Sequence, residues 1–160
     1  MATITDVMIE YDNKKEKDYT RPMSFDKNIG DWDVRNVTNF GRLFDGGHGF
    51  NRDLGQWDTS SATDMSNMFK NAKVFDQDIS GWNISNVTDI SSLFRGTPFN
   101  QDIGNWDTSN VISIGTIFFA TPFNQDISSW DVSNVTNMEI MFDNTNSFNQ
   151  PIGNWDLSSV

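Results

Sequence analysis

The sequence contains no cysteine and a single histidine, His48. Disulfides, thiolate metal sites and cysteine nucleophiles are therefore excluded, and one histidine leaves no multi-histidine metal site. His48 lies within Gly46-Gly47-His48-Gly49, a solvated loop by composition. Basic residues are scarce where it matters: residues 74–160 hold only Arg95 against 10 acidic residues, in a chain of net charge −11. Such a surface repels phosphate backbones, so nucleic acid is not an expected partner. No apolar run approaches the roughly 20 residues that span a bilayer, so membrane insertion is not expected. The opening residues, MATITDVMIEYDNKKEKDYTRP, lack a basic start followed by an apolar stretch, so no secretory signal is expected there.

What is present is concentrated in a few large side chains. The hydrophobic fraction is only 36%, yet the chain carries 13 Phe and 6 Trp. All six tryptophans are in register: Trp32, Trp57, Trp82, Trp106, Trp130 and Trp155 stand 25, 25, 24, 24 and 25 residues apart. Each follows Phe25, Phe50, Phe75, Phe99, Phe123 or Phe148 by seven residues, with Ile29, Leu54, Ile79, Ile103, Ile127 or Ile152 between, giving F-x-x-x-I/L-x-x-W in every copy. A period of this length is the mark of a repeat architecture in which no copy can bury its own apolar face alone.

Within a copy, Trp and the residue two beyond it share a period of two, the pattern of a short strand. An apolar column follows at Val37, Ala62, Val87, Val111, Val135 and Val160. Apolar residues then recur at i, i+3 and i+4, as in Phe40, Leu43, Phe44 and Met65, Met68, Phe69, which is the spacing of a helical turn. Asn39, Asp64, Asp89, Ser113 and Asn137 precede it as N-caps, and Gly46, Asn71, Gly96 and Asn144 follow it as left-handed stops. The expected fold is therefore α/β: a leucine-rich-repeat-like solenoid of six 24–25-residue coils, each with a short strand and a short helical turn. Residues 25–160 form it, the last copy incomplete, and residues 1–24 serve as an N-terminal cap or docking arm, with Ile4, Val7, Ile9 and Tyr11 as its apolar positions.

The strings FNQDIGNWDTSNV (residues 99–111) and FNQDISSWDVSNVTNMEIMF (residues 123–142) resemble the BspA-like leucine-rich-repeat surface proteins, in particular the repeat of mycoplasma lipoproteins. The resemblance spans residues 25–160. It implies adhesive or host-interaction roles at the cell surface, with relatives in protists and large DNA viruses, and it brings no catalytic motif.

Two acid columns are the sharpest candidates for a site. Asp33, Asp58, Asp107, Asp131 and Asp156 follow the tryptophans, with Asn83 in the remaining copy; Asp53, Asp78, Asp102 and Asp126 precede the Ile/Leu column. Stacked carboxylates about 5 Å apart repel by about 1 kcal/mol even in water, so they need compensation by N–H donors or by a cation. Asx-type turns supply the donors on one reading; calcium bound at Asp53, Asp78, Asp102 and Asp126 supplies the cation on the other. Asn36, Asn83, Asn86 and Asn134 begin N-x-S/T sequons, but three of them occupy one repeated slot and read as a stacked amide column. The Thr column Thr38, Thr63, Thr88 and Thr136 reads as structural.

No nucleophile, phosphate loop or metal signature is present, so the chain is expected to be a non-enzyme with no cofactor. The expectation is a protein–protein interaction or structural module of a cell-surface or virion assembly, its surface formed by the Asp columns, by the Asn/Gln run from Asn100 to Gln150, and by Phe148 and Trp155 at an open C-terminal edge that another protein covers. The alternative is a calcium-dependent carbohydrate or cell-surface adhesin.

Overall fold

Aromatic side chains recurring every 24–25 residues are buried together only if successive copies stack in register. The computed structural model, which describes residues 28–160, shows that stacking. The cap or arm expected over residues 1–24 lies outside the described residues. Six coils follow one another: coil 1 (28–49), coil 2 (50–74), coil 3 (75–98), coil 4 (99–122), coil 5 (123–147) and the partial coil 6 (148–160). Each full coil has a tryptophan limb, such as 50–62, and a turn limb, such as 63–74.

The α/β expectation of a short strand and a helical turn per coil is overturned. Among the described residues there is no helix, and the only β pairing is a line of isolated parallel bridges linking Asn39, Asp64, Asp89, Ser113 and Asn137 in succession. The cause is visible in the backbone. Positive φ recurs every fourth residue in the turn limbs: Arg42 and Gly46, Asn67 and Asn71, Ser92 and Gly96, Thr116 and Ala120, Ile140 and Asn144. A right-handed helix cannot pass through such residues.

Backbone N–H groups in the turn limb therefore divide their bonds between two directions. In coil 1, Leu43, Asp45 and Gly47 donate three residues back, to Phe40, Arg42 and Phe44. The alternate residues Phe40, Arg42, Phe44 and Gly46 donate to the carbonyls of Asp64, Ser66, Met68 and Lys70 in coil 2. The same forward set recurs between coils 2 and 3, 3 and 4, and 4 and 5, with lengths from 2.7 to 3.2 Å. The residues expected as N-caps make the bridges instead. Their side chains still accept a nearby N–H: Gly41 donates to Asn39, Ser66 to Asp64, Ser91 to Asp89 and Glu139 to Asn137.

The tryptophan limb joins coils through side chains. From coil 2 to coil 6 the indole N–H reaches back to the preceding coil: Trp57 to the Ile29 carbonyl, Trp82 to Leu54, Trp106 to Ile79, Trp130 to Ile103 and Trp155 to Ile127, at 2.9–3.3 Å. Phe50, Phe75, Phe99, Phe123 and Phe148 stack in a column at 6.2–6.4 Å between ring centroids. A second column from the turn limbs interleaves with it, with Phe69 on Phe75 and Phe94 on Phe99 at 3.7 Å. Phe50, Phe75, Phe99 and Phe123 are wholly buried. At about 25 cal/mol per Å² of apolar surface, these rings drive the stacking together with the buried Ile, Leu, Val and Met side chains of the same core.

Candidate interaction surface

An acid that immediately follows a buried tryptophan must point outward, because successive side chains in an extended stretch alternate. Asp33, Asp58, Asp107, Asp131 and Asp156 are all exposed. Each closes its own turn. The Asp58 carboxylate accepts the N–H and the hydroxyl of Ser60; Asp107 accepts both from Ser109, and Asp131 both from Ser133. Asp156 accepts the Ser158 N–H. Asp33 accepts the Arg35 N–H and pairs with its guanidinium at 2.7 Å. In coil 3, Asn83 fills the slot and accepts the same two bonds from Ser85.

These donors decide the ionisation. The Ser60, Ser109 and Ser133 hydroxyls, followed by the backbone N–H of the same residues, hold Asp58, Asp107 and Asp131 below the ordinary carboxylate value. The Arg35 side chain does the same for Asp33, and the Ser158 N–H leads for Asp156. Neighbouring charges push the other way, Asp131 raising both Asp107 and Asp156, but they rank below the hydrogen bonds. The array is thus a file of fixed negative charges, interrupted once at Asn83.

The second column behaves alike. Asp53 accepts the Gly55 N–H, Asp78 that of Ser80, Asp102 that of Gly104 and Asp126 that of Ser128. The Ser80 and Ser128 N–H groups lower the pKa of Asp78 and Asp126. Asp78, Asp102 and Asp126 line an open groove of about 510 Å³ with Gln101, Asn105 and Ser129. Among the described residues, no group of three or more His, Asp or Glu stands close enough to hold a metal ion. Sequence reasoning missed Asn105 and Ser129, which tie coils together by donating to the carbonyls of Ser80 and Gly104. Their shared position just before a tryptophan was the available signal.

The Asn/Gln run also serves the stack. Gln101 donates to Asp76, Gln125 to Asn100 and Gln150 to Asn124, each to both the carbonyl and the side-chain oxygen. Of the amide column read from Asn36, Asn86 and Asn134, the Asn86 and Asn134 amides donate to the carbonyls of Ser60 and Ser109, and Asn110, which sequence reasoning did not name, donates in the same way to Ser85.

Phe148 and Trp155 lie in coil 6, at the far end of the stack. One side of each packs on coil 5, through Phe123 at 6.3 Å and the Ile127 carbonyl at 3.3 Å. Both are half-buried, with Phe142 and Ile152, whereas their counterparts in coils 2 to 5 are buried. Leu157 and Val160, 51% and 58% exposed, extend the same edge. No helix among the described residues is long and apolar enough to cross a membrane.

Comparison with known proteins yields a family and nothing finer. No curated protein and no solved structure matches the chain. A family model matches residues 14–98 and 77–160, the span that carries the stacked coils, and the chain belongs to that family, described as Mycoplasma protein of unknown function, DUF285.

Proposed function

We propose that the chain is a non-catalytic protein–protein interaction and structural module of a cell-surface or virion assembly, as its resemblance to the BspA-like surface repeats suggests. One observation carries this reading: the exposed carboxylates of Asp58, Asp107, Asp131 and Asp156 are each fixed by their own turn and repeat once per coil, skipping coil 3. A file of weak, evenly spaced contacts gains strength by multivalency, and its sign selects a partner that presents basic groups at a matching spacing. The carboxylates need no cation to offset their repulsion, because backbone and serine donors already do so.

The test is carboxyl-directed cross-linking in the intact source cells or particles, followed by peptide mapping. The expected result is links from Asp58, Asp107, Asp131 and Asp156 to lysines of another protein, lost when these four are replaced by Asn. Links confined to the chain itself would overturn the proposal.

A further inference from the structure

Stacking fixes residue type only in the columns that it uses. In the turn limb, the columns that begin at Phe40, Leu43 and Phe44 are apolar in every coil, because they enter the core. The column that begins at Asp45 is different: it reads Asp45, Lys70, Arg95, Phe119 and Asp143 in coils 1 to 5. Here the backbone carries the stacking on its own. The N–H groups of Lys70, Arg95 and Phe119 donate three residues back, and their carbonyls accept the N–H groups of Gly46, Asn71 and Gly96 from the coil before. Side-chain identity in this column therefore escapes the constraint that keeps its neighbours uniform. Its side chains are exposed or half-buried, within reach of another molecule.

Phe119 is the clearest case. Its neighbour Phe118 is wholly buried in the aromatic stack, whereas Phe119 is half-buried and belongs neither to the core nor to the side chains packed against it. The Arg95 guanidinium lies 4.6 Å from the centre of its ring. Neither Arg95 nor Lys70 has a carboxylate partner among the described residues, whereas Arg35, in the tryptophan limb, is paired with Asp33. Lys73 adds a third cation, its ammonium held by neutral acceptors, the Gly96 carbonyl at 3.0 Å and the Asn71 side-chain oxygen at 3.4 Å. Like charges gathered without a counter-ion repel, so Lys70, Lys73 and Arg95 together favour an anionic group laid over them.

The order of the column limits what that group can be. Its basic stretch covers coils 2 and 3, bounded by Asp45 in coil 1 and by Asp143 in coil 5, with Phe119 between Arg95 and Asp143. A long uniform polyanion, such as a sulfated glycan, would meet those carboxylates at both ends, and a short acidic stretch would not. Equivalent rings of neighbouring coils stand 6.2 Å apart beside this column, Phe69 to Phe94 and Phe94 to Phe118. In an extended polypeptide, alternate side chains stand about 6.6 Å apart on one face. An extended chain lying along the stack therefore presents alternate residues to successive coils: an acid to Lys70, an acid to Arg95 and an apolar residue to Phe119.

We propose that Lys70, Arg95 and Phe119 form a second interaction surface, which binds an extended segment of a partner protein carrying acidic residues at two alternate positions and an aromatic residue at the next. The Lys70 ammonium and the Arg95 guanidinium donate to the two carboxylates, with Lys73 at their flank, and the aromatic side chain covers the exposed part of the Phe119 ring. A guanidinium over a ring face keeps N–H donors for a carboxylate, so Arg95 serves both neighbours at once. Each contact is weak at an exposed site, and their fixed spacing supplies the selectivity. The inference rests on reading the chain as a protein–protein interaction module, and it adds to the acid file a face of opposite sign on the other limb.

The experiment is selection of a phage-displayed library of random peptides on the 160-residue chain. Fluorescence anisotropy of the enriched peptides follows, at about 0.15 M salt, where exposed charges more than about 8 Å away are screened. The enriched peptides are expected to carry two acidic residues at alternate positions and an aromatic residue two further on. Their dissociation constants should rise about tenfold or more with Lys70→Ser plus Arg95→Ser, and likewise with Phe119→Ser, while Gln56→Ser on the tryptophan limb leaves them unchanged. The substituted side chains lie outside the core, and near-UV circular dichroism of the tryptophans checks that each variant keeps its packing. Peptides without the acidic pair, peptides whose binding survives the changes at Lys70, Arg95 and Phe119, or no enrichment at all would each overturn the proposal. Basic peptides that lose affinity with Asp107→Asn instead would overturn it and leave the acid file standing, so this inference and the broader reading fail separately.

Discussion

The two limbs of each coil solve the same problem by different means. In the tryptophan limb, side chains tie coil to coil: an indole N–H, stacked phenyl rings and amide ladders from Gln101 to Gln150. In the turn limb, the backbone does so, with alternate N–H groups passed forward and the rest used locally. Side-chain ties demand particular residues at every copy, whereas backbone ties demand only a dihedral pattern. The first limb is consequently near-invariant in sequence, and the second tolerates Arg42, Asn67, Ser92, Thr116 and Ile140 at one equivalent position.

The comparison breaks most readily at an interior tryptophan. Trp106 is buried, lies 6.5 Å from Trp130 and donates to the Ile79 carbonyl. Trp106→Ala should cost about 4 kcal/mol in urea unfolding. Trp106→Phe should cost less, because it keeps much of the burial and gives up the indole bond, worth about 1 kcal/mol. If Trp106→Ala cost no more than Trp106→Phe, the side chains would not be the principal ties of this limb.

A smaller effect separates interior coils from the partial one. A Cβ built on Gly104 would stand 2.5 Å from the Asp126 carbonyl oxygen of the next coil, whereas one on Gly153 meets nothing within 4 Å. Gly104→Ala should therefore destabilise by about 2 kcal/mol through forced separation of coils 4 and 5. Gly153→Ala should be near neutral in the isolated chain. Equal effects of the two would mean that coil spacing is not set by this close approach.

Smaller still, and informative in sign, is Ile140→Gly. Ile140 holds a φ of 56° with its side chain half exposed, a conformation that penalises a β-branched residue. Releasing it should stabilise the chain by about 1 kcal/mol. In a helical turn the same change would destabilise by about 1 kcal/mol, so the direction of the shift in thermal midpoint distinguishes the two conformations.

That sign also explains what could be read beforehand. The columns of Phe, Ile and Trp, their register and the stacked Asn86 and Asn134 amides were legible, because each rests on residue identity at a fixed interval. The turn limb was not. Apolar spacing at Phe40, Leu43 and Phe44 fits a helical turn and a run of overlapping turns equally well, and only the left-handed residues separate them. Gly46, Gly96, Asn71 and Asn144 announce themselves; Arg42 and Thr116 do not, since the forward bonds to a neighbouring coil, invisible within one copy, offset their strain. The acid columns were legible as columns, and the turns their carboxylates close needed the serine and backbone donors to be placed.

The smallest expected effect concerns those acids and has a control within the molecule. Asp58, Asp107 and Asp131 are held below their ordinary value, 3.8, by serine donors. The unfolded chain therefore takes up protons first as pH falls. The stabilisation is complete above the ordinary carboxylate range and is lost as pH drops through the lowered native values. All three carboxylates are exposed, so the loss at each should be slight and should shrink with added salt. Coil 3 carries Asn83 in the same turn with the same two bonds from Ser85, so the geometry survives without the charge. Asp131→Asn should then flatten the acid-side decline of the urea midpoint between neutral pH and about pH 3, and Asn83→Asp should steepen it. If neither changed the slope, the carboxylate turns would contribute through geometry alone, and the file of charge would be free to serve a partner at no cost to the coil that carries it.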